Sequence, residues 1–197
     1  MGCLLDRNHV LTAAHCWTGV QDKYEWPAVL TSDGFFRCEV AFYSEDLDIL
    51  LLRLLELVQP SPRSLALKQS ESYAQLGNDE IFLGSQVGFI SRLRLYTLDD
   101  TSAHTHFSAA FVSMMLPGSA RRGLRYHPRF ALSGTVIQDG FSGSPVFLPS
   151  GSIVGVLVQS ISFRANVDDE NAPIYVLPVI SPIRPVLSAL RDALGMN

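Results

Sequence analysis

The chain is short of charge, of cysteine and of long apolar runs. Only 17% of its 197 residues are charged, against 47% hydrophobic. That balance excludes an intrinsically disordered chain, which is poorer in apolar residues and richer in charge. Three cysteines are too few for a disulfide scaffold of this length. They also lack the paired Cys-x-x-Cys spacing of a zinc site. No stretch of about 18 apolar residues without charge occurs, which argues against a transmembrane helix. The most apolar run, residues 49–55, is broken by Arg53. The start, Met1 to Asp6, has no basic segment ahead of an apolar one, so a secretory leader is not expected. A basic excess is missing too: 15 basic against 19 acidic residues give a net charge of −4. Nucleic acid is therefore disfavoured as a partner, because phosphate binding needs a basic face.

What is present is length enough for one large domain or two of about 100 residues, with roughly 70% of the unfolded surface buried on folding. The apolar segments are short and punctuated by turn residues. Residues 27–31, then Ser32-Asp33-Gly34, then 35–42 read as a hairpin. Strands are also expected at 48–54, 80–83, 134–137, 145–148, 153–159 and 173–179. A helical turn is expected over 12–16 and a helix over 183–194, where Ile183, Val186, Leu187 and Leu190 share one face. Residues 98–129 read as the most irregular part, and the stretch 84–88 as a boundary between two β units. Many short strands with no linker and no repeat predict an all-β sandwich or barrel.

Three segments carry chemistry together. They are Val10-Leu11-Thr12-Ala13-Ala14-His15-Cys16, then Asp48-Ile49-Leu50-Leu51-Leu52-Arg53-Leu54, then Gly140-Phe141-Ser142-Gly143-Ser144-Pro145. Singly, each has a bland reading: a structural histidine, a solvated strand end, a turn. Jointly they supply a base, an orienting carboxylate and a nucleophile in the order His, Asp, Ser. In these motifs the sequence resembles the chymotrypsin-fold (trypsin-like) serine peptidases, from Cys3 to the terminal helix. The segments 32–54 and 136–142 resemble the HtrA/Deg-type branch. The Gly-Ser-Pro after Ser142 resembles the glutamyl endopeptidases. A PDZ domain following this unit is not expected from the sequence given.

The resemblance implies two antiparallel, six-stranded-type β-barrels with a C-terminal helix, over residues 1–88 and 89–197. It implies peptide-bond hydrolysis with His15 as base, Asp48 as its carboxylate and Ser142 as nucleophile. Asp46 is a rival for the carboxylate; Asp48 is preferred because it directly begins the apolar strand. The backbone N–H groups of Gly140 and Ser142 would form the oxyanion hole. Val136, Val158 and Ser160 would line the specificity pocket. Val136 stands six residues before the nucleophile, where trypsin-like enzymes carry an aspartate, so Arg/Lys preference is not expected. Neither metal nor cofactor is implied. Cys3 and Cys16 match a family disulfide, whereas the lack of a leader favours free thiols in the cytoplasm; an oxidised bridge would favour a secreted enzyme.

Departures shape the remaining expectations. Phe141 occupies the place where digestive enzymes carry an activating aspartate. The first barrel begins late, so a strand is expected from residues before Met1 or from another chain. Partners are thus a protein or peptide substrate and an activating or strand-completing protein, with no nucleic acid and no membrane. A protease-fold binding module with a latent triad is the rival reading. His104 and His106 could bind metal only with a third ligand. Arg121, Arg122, Arg125 and Arg129 form a basic cluster best read as a solvated loop.

Overall fold

The computed structural model describes residues 1–22, 25–31, 33–60, 73–96, 101–117, 127–135, 140–165 and 167–196, with the side chains of 91–96 and 101–106 left aside. Two antiparallel sheets are built in chain order. The first contains β1 (Cys3–Leu4), β2 (His9–Ala13), β3 (Ala28–Leu30), β4 (Gly34–Ser44) and β5 (Ile49–Pro60). Its order is β1-β2-β5-β4-β3, an open sheet of five strands. The second contains β6 (Gln86–Tyr96), β7 (Thr101–Leu116), β8 (Arg129–Ser133), β9 (Pro145–Phe147), β10 (Ile153–Arg164) and β11 (Ile174–Pro182). It closes into a barrel in the order β10-β11-β8-β7-β6-β9. A short helix α1 (His15–Thr18) follows β2, and a 3-10 turn leads into α2 (Leu187–Ala193) at the end.

The apolar run of β5 follows from its place in the sheet. Successive strand residues face opposite sides. Ile49 and Leu51 enter a core shared with the barrel, while Leu50 and Leu52 face the other side with Ala14 and Cys38. Both faces are covered, so the strand is apolar on both. The shared core joins Leu11, Ala13, Ile49 and Leu51 to Ile153, Val156, Val158 and Val179 of the barrel, with Leu187 and Leu190 of α2 sealing it. The barrel has its own interior, built from Phe89, Val112, Leu132, Phe141, Val146, Leu157 and Ile180. The far face of the first sheet instead borders a cavity of about 980 Å³, lined by Val10, Trp17, Trp26, Val29, Leu50 and Leu52 among others.

The expected all-β, two-unit architecture is present, with the first unit an open sheet. The hairpin at Asp33-Gly34 forms, since Gly34 has φ +144° and a side chain there would strike the backbone of Gln59. Several local expectations are corrected. Residues 80–83 are not a strand: Ile81 is buried, but Phe82 and Leu83 are exposed in a loop and turn. The strand expected at 134–137 lies upstream as β8, with 136–137 outside the described residues. The turn expected at 12–16 starts later, at His15, because Thr12 and Ala13 pair with Leu50 and Ile49 of β5. The irregular stretch 98–129 contains β7, which pairs with β6 from Phe111 to Thr101. β6 lies wholly in the barrel, so residue 88 falls inside a barrel strand.

Candidate active site

His15 and Asp48 meet where β2 runs into α1 beside the loop joining β4 to β5. The backbone N–H of Ala14 donates to the Asp48 carbonyl at 3.0 Å. The backbone N–H of His15 donates to Asp48 Oδ1 at 2.7 Å, and His15 Nδ1 lies 2.6 Å from Asp48 Oδ2. A carboxylate held at both oxygens fixes the ring orientation. It also assigns the Nδ1–H tautomer and leaves Nε2 as the acceptor. Hydrogen bonds to a charged group are worth about 1.5–3 kcal/mol each. Asp48 has φ 55°, a left-handed conformation that aspartate tolerates better than bulky residues. Asp46 is exposed in the same loop, and its carbonyl accepts from Arg129.

The nucleophile loop is anchored from the barrel interior. Phe141 is buried and packs edge-on to Phe89, with ring centroids 6.1 Å apart. Gly143 N–H donates to Leu157 O at 2.8 Å, Leu157 N–H to Ser144 O at 2.9 Å, and Ser144 N–H to Phe141 O at 3.0 Å. Gly140 and Gly143 have φ of +90° and +86°. At Gly143 a side chain would strike the Met1 carbonyl and Thr12 Oγ, so the loop needs glycine for both conformation and space. The N–H groups of Gly140 and Ser142 have no partner among the described residues, as an oxyanion hole requires.

The first sheet meets this loop directly. The Met1 ammonium donates to Ser142 O at 2.8 Å, and Thr12 Oγ donates to Met1 O. Cys16 Sγ lies 3.8 Å from Ser142 O and 4.0 Å from His15 Nε2. No hydrogen bond joins Ser142 Oγ to His15 Nε2 among the described residues, although Cys16 Sγ lies near both residues. Of the two cysteine states left open by the sequence, the structure has the free thiols. The Cys3–Cys16 bridge is not formed, and all three cysteines are free thiols. Cys3 sits on β1 opposite Leu11 and turns its sulfur to Leu4 O, while Cys16 Sγ lies between His15 and Ser142. Its position next to His15 and the odd cysteine count were the signals available. Burial pushes the Cys3 and Cys38 thiols up to about 11; at Cys38 a backbone hydrogen bond at Val29 pulls partly the other way.

The expected pocket residues are spread. Val158 is buried in the shared core at a bulge of β10, and Ser160 is exposed two residues on. Val136 lies outside the described residues, as do Arg121, Arg122, Arg125 and the side chains of His104 and His106. No group of three or more His, Cys, Asp or Glu poised for metal occurs among the described residues. No helix among them is long and apolar enough to cross a membrane.

A sequence model of the trypsin-like peptidase domain matches residues 1–156 of this chain. No curated protein matches it by sequence. Solved structures do. The MamO protease domain from Magnetospirillum magneticum is 16% identical over 97% of this chain and 87% of its own, with a TM-score of 0.59. Neuropsin, a serine protease expressed in mouse brain, is 16% identical over 98% and 87%, with a TM-score of 0.63. The HtrA-type protease AlgW, solved with a decapeptide, is 14% identical over 98% of this chain and 51% of its own, at a TM-score of 0.58. Likeness at these identities speaks for the fold.

Proposed function

Since the chain belongs to the family of trypsin-like peptidase domains and is a serine endopeptidase, we propose that its reaction runs through Ser142, His15 and Asp48. His15 Nε2 takes the proton from Ser142 Oγ as that oxygen attacks the scissile carbonyl. The N–H groups of Gly140 and Ser142 stabilise the developing oxyanion. His15 returns the proton to the leaving amine, the acyl-enzyme forms, and water reverses the sequence. Asp48 holds the tautomer and stabilises the imidazolium. The observation that carries this reading is the double hold of Asp48 on His15, at 2.6 and 2.7 Å. Three free thiols favour a reducing compartment, hence an intracellular enzyme.

A second reading is a latent module that a partner chain completes. The open five-stranded sheet and the missing Ser142–His15 bond favour it. Labelling with a fluorophosphonate probe, read by intact mass on the wild type and Ser142→Ala, separates the two. One adduct on the wild type and none on the variant is expected. No adduct on a folded wild type would replace the competent triad with the latent one.

A further inference from the structure

The strand β10 is much longer than the barrel needs. It pairs with β9 only from Ile153 to Val156, but with β11 from Gly155 to Arg164. Beyond Val156 no strand pairs with its other edge among the described residues. Which backbone groups face that edge follows from the register. Ser160 stands opposite Pro178, which has no N–H, so this pair cannot be the hydrogen-bonded kind. At the hairpin end Ala165 N–H donates to Pro173 O at 3.0 Å, which makes the odd-numbered positions the hydrogen-bonded ones. The N–H and C=O of Ser160, Ser162 and Arg164 therefore point away from β11, and all three residues are exposed.

This edge starts at the nucleophile. Leu157, three residues before Ser160, is tied to the Ser142 loop by the Gly143 and Ser144 bonds. A substrate strand leaving the cleft along β10 would continue from Ser160 past Ser162 to Arg164, about 13 Å at strand rise. Antiparallel addition is the stronger pairing and places the residues before the scissile bond on this edge. We propose that β10 is an extended substrate rail: Ser162 and Arg164 bind by main chain the part of the polypeptide lying about five to eight residues before the cut. The inference rests on the peptidase reading above. It assigns the enzyme substrates that are extended well upstream of the cleavage site and free of proline at alternate positions.

The test uses a cut site mapped by mass spectrometry in a digest of unfolded casein. Peptides with four or eight residues before that cut are compared on the whole chain by kcat/KM. The longer peptide is cleaved severalfold faster, through a lower KM. An N-methyl scan of its upstream half then alternates. Methylation of residues facing Ser162 or Arg164 costs about threefold to tenfold each, the worth of one hydrogen bond. Methylation of the residues between them costs nothing. Equal rates for the two lengths, or a scan without alternation, overturn the rail while leaving the peptidase intact. A chain that takes no fluorophosphonate and cuts no casein overturns both.

Discussion

In the barrel each strand has a neighbour on both sides; among the described residues the first sheet ends on two edges that no further strand pairs with, β1 and β3. The two units divide the chemistry in the same way. The closed unit mounts the nucleophile loop on its own interior, through Phe141 against Phe89. The open unit has little interior of its own: among the described residues, four buried ones on the face away from the barrel, beside a large cavity. His15 and Asp48 lie at the ends of β2 and β5, the strands that pack on the barrel through the shared core. An open sheet can therefore still hold His15 against Asp48, because its best supported strands carry them and its edges do not.

The largest test asks whether the open unit holds its pair firmly enough to matter. Asp48→Asn keeps a residue that tolerates the left-handed conformation but presents one oxygen and one NH2. Turnover is expected to fall about 10⁴-fold, as in the Ser-His-Asp template, with little change in the urea midpoint. Steady-state kinetics on a casein-derived peptide measure it. A loss under tenfold would remove Asp48 from the reaction.

Next come stabilities in the two cores. Phe141→Ala opens the closed interior and should cost about 3–5 kcal/mol, with fluorophosphonate labelling lost alongside. Leu30→Ala, on the exposed edge β3, should stay within about 0.5 kcal/mol. Between them lies Leu52→Ala, which borders space already empty. It should cost at least about 1 kcal/mol less than Leu132→Ala in the barrel, because the cavity penalty depends on what is newly opened. Equal costs in urea unfolding would mean that the first sheet is as well filled as the barrel.

The same contrast explains what could be read from the residues alone. His15, Asp48 and Ser142 stood in strong local motifs, and the first two are in hydrogen-bond contact. The strand β5 was legible because its apolar run is double-faced. β7 was not, because its pattern is inverted. Ser108, Ala110 and Val112 are buried while Phe107 and Phe111 are largely exposed, so the large residues mark the wrong face. Phe82 and Leu83 misled in the opposite sense, being apolar yet more than 60% exposed. The state of Cys3 and Cys16 was not legible, because the family pairing and the missing leader pointed opposite ways; both are free thiols.

The smallest effect separates the units by pH. All three cysteines and both tryptophans, Trp17 and Trp26, precede the barrel in sequence. The Cys3 and Cys38 thiols sit at about 11 in the folded chain, pushed up by burial from an ordinary value of 9.0. The unfolded chain thus loses these protons first as pH rises. Their contribution to stability is complete below pH 9 and is lost between about 9 and 11. Tyr43 on β4 adds to this in the same direction, its phenol raised by burial and then by the charges of Glu45 and Asp48; being half-exposed, it adds little. Tryptophan fluorescence reports the first unit alone, so its urea midpoint should fall from pH 8 to pH 10.5. Cys3→Ala with Cys38→Ala should remove most of that fall, since alanine has no proton to lose. An undiminished fall in the double variant would trace the alkaline weakness to charge repulsion across the whole chain, and the open sheet would no longer be its source.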